Sequence, residues 1–223
     1  MGIPVIYMDS DMTHLNALDR RMEALSHRKW DLPAIEKRFR NLEKNGIPKK
    51  QIDQAAILRD KEKFLDQVQT KAEEYCYLTR NCAKGSALAL FEEFGLGNME
   101  IIKALTPFPG LGMTGGICGP VTGGLVSIGL FFSDDDPANF ENPSAYMAGR
   151  DYIKRFETIM GSLLCPKIQE RILGKSYDPF SGSENREEYN AAGVREKCPL
   201  APGFGARTVA EIIIEKFEKT QVS

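Results

Sequence analysis

The chain has 223 residues, a formal net charge of −2, 42% hydrophobic and 27% charged residues, a composition suited to one large globular domain or one domain with an appendage. That charge balance excludes a wholesale nucleic-acid binder. The opening "MGIPVIYMDSDMTHL" lacks a basic region followed by a long apolar run, so it does not read as a secretion signal and a cytoplasmic setting is expected.

Up to about residue 70 the chain is polar and its periodicity is helical. "WDLPAIEKRFRNLEKNG" offers Asp31 as N-cap, Pro33 in the first turn, apolar Leu32, Ile35, Phe39 and Leu42, and Gly46 as stop. "IPKKQIDQAAILRD" starts again from Pro48, and "DKEKFLDQVQTKAEEYCYL" carries Phe64, Val68, Ala72 and Tyr75 at helical spacing. Residues 1–70 are therefore expected to be a helical extension, with Trp30 and Phe39 as anchors onto the remainder or across a homodimer interface. Residues 19–50 hold ten Lys or Arg against five Asp or Glu. A docking face for an acidic partner or RNA would use that surplus; a solvated helical surface is the plainer reading and the preferred one.

Beyond residue 70 apolar helices alternate with Gly and Pro. "NCAKGSALALFEEFGL" has Asn81 as N-cap and Gly95 as stop, and "MEIIKALTPFPG" is a short helix ended by Pro107 and Pro109. The stretch "GGICGPVTGGLVSIGLFF" has the apolar length of a short membrane span but holds six glycines. It reads as a glycine-rich turn leading into a buried central helix from about Cys118 to Phe132, and no membrane span is expected. "SDDDP", residues 133–137, reads as a solvated cap after that helix. Further helices follow over "NPSAYMAGRDYIKRFETIMGS", with Tyr152, Phe156 and Ile159 on one face, over "CPKIQERILG", and over "FGARTVAEIIIEKFEKT". No alternating run of useful length supports a strand. The fold expected is an all-α multi-helix bundle, with residues 71–223 as a four-cysteine domain.

The five cysteines include no C-x-x-C pair, and the two histidines, His14 and His27, lie far upstream. Thioredoxin-like motifs, zinc ribbons and covalent haem attachment thus lack their usual signature, and an odd count speaks against a disulfide framework. Four cysteines fall at or near helix starts: Cys82 after an N-cap, Cys118 after a glycine turn, Cys165 before Pro166 and Cys198 before Pro199. Unpaired backbone N–H groups and the positive dipole end there are expected to stabilise thiolates and lower their pKa. Glycines such as Gly116 and Gly119 would let backbone N–H groups approach a cofactor's sulfur. Cys76, inside a helical run, reads as a packed or spare thiol. "GLGMTGGICGPVTGG" is no phosphate loop, for no strand precedes it and no Gly-Lys-Ser/Thr follows. No general acid–base pair stands out, so a self-contained catalytic constellation is not expected.

From roughly residue 75 to 219 the chain resembles the C_GCAxxG_C_C family of redox-active proteins. The elements that carry the likeness are "NCAKGSALALFEEFG", "GLGMTGGICGPVTGGLVSIGL", "FETIMGSLLCPKI" and "CPLAPGFGARTVAEIIIEK". Where the family motif has alanine after Cys-Gly, this chain has Pro120, a change that bears on the helix start more than on the sulfur. The resemblance implies redox activity on the cysteines beside an oxidoreductase or other redox protein. A related domain accompanies haem modules in split-Soret cytochromes, but this chain has no C-x-x-C-H.

Two functional classes follow, with a plainer third. In the first, Cys82, Cys118, Cys165 and Cys198 hold an iron–sulfur cluster, [2Fe–2S] by preference, with Gly116 and Gly119 beside it, in an electron-transfer accessory protein. In the second, the same thiols form reversible disulfides, or carry sulfur or a metal, for a partner oxidoreductase. In the third they bind structural zinc.

Overall fold

The protein, seen in a computed structural model, is described over residues 8–136, 138–139 and 141–222, with side chains described from residue 17 to 220. The helices run α1 Met8–Ser26, α2 Leu32–Asn45, α3 Gln54–Arg59, α4 Lys61–Thr79, α5 Cys82–Phe94, α6 Met99–Ala104, α7 Gly110–Met113, α8 Gly119–Phe132, α9 Ser144–Met160, α10 Cys165–Leu173, α11 Ser183–Ala191, α12 Val194–Lys197 and α13 Leu200–Val222. Among the described residues there is no strand, only an isolated antiparallel bridge between Ile117 and Leu164. The fold is all-α, as expected.

Local chemistry sets most helix ends. The Asp31 carboxylate accepts from Ala34 N in α2, and Asn81 Oδ1 accepts from Lys84 N in α5, each satisfying an otherwise orphaned donor. The αL residues Gly95 and Gly161 end α5 and α9. The apolar run at the front of the last expected helix extends upstream, so that α13 begins at Leu200, immediately after Pro199.

α5 is the most enclosed helix, packed between α4 and α8 and crossed by α13. Leu88, Leu90 and Phe91 on it are wholly buried, each contributing about 1.5–3 kcal/mol of transfer free energy. α8, the expected buried helix, lies against α5, α9 and α13, although Leu130 on its outer side is exposed. Glycines bring these axes together: a Cβ at Gly85 on α5 would stand 2.7 Å from Cys76 Cβ on α4, and one at Gly119 on α8 would stand 2.5 Å from Cys82 Sγ. Close backbone approach thus fixes where those two cysteines lie. Among the described residues no helix is long and apolar enough to cross a membrane.

The N-terminal helices join the same hydrophobic cluster, through Leu18, Leu25 and Leu42. Residue 70, the expected boundary, falls inside α4. Trp30 stacks on Tyr77 of α4 with centroids 4.2 Å apart, and Phe39 lies 6.4 Å from Tyr75, so both anchors pack on α4 of their own chain. Seven of the ten basic residues of 19–50 are exposed, in keeping with the solvated surface expected, but three arginines turn inward. Arg21 and Arg28 reach the fully buried Glu73 at 2.6 and 2.9 Å, and Arg28 and Arg38 reach Glu74 at 2.6 and 2.5 Å. The side chain of His14 lies outside the described residues, as does Pro137 of the acidic cap. In that cap Asp134 accepts amide hydrogen bonds from Asn139 and Asn142.

Candidate functional site: a cysteine-walled cavity

The turn before α8 and the segment before α10 are locked together by two backbone hydrogen bonds. Cys118 N donates to Leu163 O at 2.8 Å, and Cys165 N donates to Gly116 O at 2.9 Å. They flank the Ile117–Leu164 bridge and hold Cys118 and Cys165 side by side. Gly116 therefore acts through its carbonyl, which anchors Cys165; its N–H is already donated to Gly110 O at 3.0 Å. Gly119 acts by being small, since any Cβ there would displace Cys82.

Asn81 fixes the third sulfur. Besides capping α5 it donates from Nδ2 to Thr106 O at 3.0 Å, tying the start of α5, and hence Cys82, to the loop after α6. Cys198 closes α12 and stands two residues before α13. All four expected cysteines therefore lie at or beside helix N-termini: Cys82 and Cys165 as first helical residues, Cys118 as N-cap.

These four line one cavity of about 510 Å³, and Cys76 lines it too. Cys76 was expected apart from the group. The chain reverses at Arg80, which is in the αL conformation with φ 52°, and this brings the end of α4 and the start of α5 to the same wall. All five cysteines are free thiols. Among the described residues no group of three or more His, Cys, Asp or Glu is arranged to hold a metal ion.

The thiols differ in electrostatics. Cys165 is lowered to about 7: the Cys118 thiol hydrogen-bonds to it, and the Gln169 amide adds a second donor, against the opposing effect of burial. Gln169 Nε2 lies 3.4 Å from Cys165 Sγ. Its orientation is set at the other end, where Gln169 Oε1 accepts from Tyr177 N at 2.8 Å. Cys118 is pushed well up by its hydrogen bonds with Cys165 and Cys82, and then by burial. Burial also raises Cys198, reinforced by the charges of Cys82 and Cys165, and raises Cys76. The one lowered thiol, Cys165, owes the shift to hydrogen bonds from Cys118 and Gln169 and not to its helix terminus, while Cys118 is raised by its own hydrogen bonds and Cys198 by burial. Cys118 thus stays protonated and hydrogen-bonded to Cys165 and Cys82, while Cys165 ionises near neutral pH.

Sequence reasoning missed the rest of the wall. Gln169, Tyr189 and the arginines Arg80, Arg186 and Arg195 all line the cavity. Tyr189 is held in its neutral phenol form by burial first and then by the cysteine charges around it. Gln169 sits four residues after Cys165, one helical turn on, and that spacing could have identified it.

A single ion fits this donor set poorly, since no three donors are arranged around one point. A polynuclear cofactor or an organic molecule fits it better: the donors are soft thiols, and the volume falls in the range of about 300–1,000 Å³ usual for small-molecule sites. No curated protein and no solved structure matches the chain. A family model does, over residues 80–212, with the description "Putative redox-active protein (C_GCAxxG_C_C)". The match spans more than half of the chain and four of the five cavity cysteines, and this protein belongs to the C_GCAxxG_C_C family.

Proposed function

We propose that the cavity is the centre of an electron-transfer accessory protein, in which Cys82, Cys118, Cys165 and Cys198 hold an iron–sulfur cluster, by preference [2Fe–2S], serving a partner oxidoreductase. The observation that carries the reading is the lining itself. Cysteines from separate helix starts share one cofactor-sized cavity whose described lining has no carboxylate and no histidine. When bound, a cluster would supply one-electron transfer at a potential set by its surroundings. The chain's own residues would supply the rest. The Gln169 amide aimed at Cys165 Sγ would stabilise negative charge on sulfur and favour the reduced state. The helix N-termini would act in the same sense.

A second reading has its own support in the contact between Cys118 and Cys165. With a pKa of about 7, Cys165 is half ionised at neutral pH and can attack a partner's disulfide. The attack gives a mixed disulfide and expels one partner thiolate. Cys118, losing its proton, then attacks Cys165 sulfur, forming a Cys118–Cys165 disulfide and releasing the second partner thiolate. Structural zinc has no comparable support, because it needs sulfurs grouped around one ion.

Anaerobic purification with iron and acid-labile sulfide analysis separates the readings. Cluster binding predicts a brown protein that loses most of its iron in Cys118→Ser and likewise in Cys82→Ser, Cys165→Ser and Cys198→Ser, with Cys76→Ser little changed. Wild-type iron in Cys118→Ser would sink the cluster. A colourless protein that gains two titratable thiols on reduction, lost equally in Cys118→Ser and Cys165→Ser, supports thiol exchange.

A further inference from the structure

Three arginines line the cavity, and the described lining holds no acidic residue to balance them. Arg186 Nε donates to Pro179 O and Arg195 Nε to Tyr77 O, both at 3.4 Å. The Arg195 guanidinium lies over the Tyr77 ring, 4.3 Å from its centroid. These contacts hold the side chains through Nε and leave the terminal amino groups without a hydrogen bond among the described residues. Arg80 makes no ion pair among them either.

The position of these charges decides what they act on. Arg80 and Arg186 are exposed, whereas Cys76 and Cys118 are buried and the other three cysteines are half-buried, so these two cationic groups stand nearer to solvent than the sulfurs. An exposed guanidinium is screened by water and does little to neutralise a charge held deep inside. It is well placed to draw an anion in from solution, because a cavity with low-dielectric walls concentrates the field of charges of one sign at its mouth. Apart from the arginines and cysteines the lining mixes polar groups such as Asn81 and Gln169 with an apolar share from Pro107, Met113, Ile168, Phe180 and Val194. Phe180 is 70% exposed beside the mouth, an aromatic face with no burial of its own to justify it.

We propose that the cavity binds a small organic oxyanion, with a carboxylate or phosphate gripped by Arg80, Arg186 and Arg195 and an apolar body directed toward the cysteines. The guanidinium fork matches either group in a bidentate way, and the apolar share of the lining favours an organic occupant over a bare inorganic ion. The site stands whichever redox chemistry the cysteines carry.

The test uses the full-length protein as purified, with calorimetric titration of 2-naphthoate, 2-naphthyl phosphate and the neutral 2-naphthamide at physiological salt. At least one anion should bind about tenfold or more tightly than the amide, the scale of one hydrogen bond to a charged group. That preference should fall to near unity in Arg80→Gln/Arg186→Gln, whose two sites are exposed, and persist in Arg150→Gln, an exposed arginine of α9 outside the cavity. Which anion wins separates carboxylate from phosphate ligands. Equal binding of anions and amide, no binding by either anion, or a preference that survives in the double variant would each overturn the proposal. Iron and thiol content, measured on the same samples, reports on the redox reading separately.

Discussion

The seam between the N-terminal helices and α4 handles arginine in one way, and the cysteine cavity handles it in another. In the seam every named guanidinium meets a carboxylate: Arg21 and Arg28 meet Glu73, and Arg28 and Arg38 meet Glu74. At the cavity Arg80, Arg186 and Arg195 meet none among the described residues. The first group belongs to the fold, because a buried carboxylate without a partner is costly and its neighbours must supply the charge. In the second group Arg195 packs on Tyr77, but Arg80 and Arg186 contribute little to the fold through their side chains, and their place on the cavity wall suits something that enters. The difference separates charges kept for stability from charges kept for a ligand.

Breaking the seam should give the largest effect. Arg21→Ala/Arg28→Ala strips Glu73 of both partners and should cost about 3 kcal/mol, the low end for an orphaned buried charge because both arginines are partly solvated. Urea unfolding measures it. The pH dependence checks the cause. Burial holds the Glu73 carboxyl above its ordinary range, opposed by Arg21 and then Arg28. A folded pKa above the unfolded value means that stability is lost as pH rises through the folded pKa and regained below it. The double variant, with burial less opposed, should therefore recover part of its loss as the solution is acidified from neutral. Unchanged stability across that range would show that Glu73 is not the group responsible.

A smaller effect is expected where the core meets the cavity. Gly119→Ala would place a Cβ 2.5 Å from Cys82 Sγ and 2.7 Å from Ala83 N, so α8 or α5 must shift. Overpacking of this kind costs about 1–3 kcal/mol, and Cys82 should be displaced with it. Thermal unfolding reads the first, and the alkylation rate of Cys82, followed by peptide mass, reads the second. Wild-type values for both would show that the two helices tolerate separation and that Gly119 has another role.

Next comes the tuning of one sulfur. In reduced, iron-free protein the rate of Cys165 alkylation by iodoacetamide should rise with pH through about 7, since the thiolate is the attacking form. Gln169→Leu removes the second donor to that thiolate. The midpoint should move up, and the rate at neutral pH should fall by roughly three- to tenfold, the scale of one ordinary hydrogen bond of about 0.5–1.5 kcal/mol. A midpoint that stays put would leave the Cys118 thiol as the sole source of the lowering.

These elements were not equally legible in the sequence. Asn81 and Gly95 announced both ends of α5, and Pro166 announced the start of α10, because caps and prolines act within one turn of chain. The basic surplus of residues 19–50 could be counted, but the three arginines in it that turn inward could not be singled out, since their partners Glu73 and Glu74 lie on a different helix. α11 buries no residue, so "SENREEYNA" offers no apolar stripe to detect, yet it brings Arg186 and Tyr189 to the cavity. Cys76 is buried, as a packed thiol should be, but its place on the cavity wall was missed for a related reason. Its place in a helical run was plain, but the reversal at Arg80 that turns it toward Cys82 is a tertiary event carried by one αL residue. The redox character came from the likeness of four motifs to those of the C_GCAxxG_C_C family, which the family match bears out; what the sulfurs hold was not written in any of them.

The smallest expected effect sharpens the comparison most. If Arg80 and Arg186 serve a ligand and not the fold, Arg80→Gln/Arg186→Gln should change stability by less than about 0.5 kcal/mol, as for surface substitutions that break no named interaction. Arg80 takes part in the chain reversal through its backbone, whose N–H donates to Cys76 O at 2.8 Å, and glutamine keeps that bond. Arg186 gives up one long hydrogen bond to Pro179 O near the exposed loop before α11. Removing two like charges from the lining of one cavity also relieves repulsion, so a slight gain in stability is within expectation. Urea unfolding of this variant beside Arg21→Ala/Arg28→Ala makes the contrast direct: two arginines removed in each case, with a loss of about 3 kcal/mol in one and almost none in the other. Equal losses would place all the arginines in a single structural class and remove the reason to look for an anion at the cavity mouth.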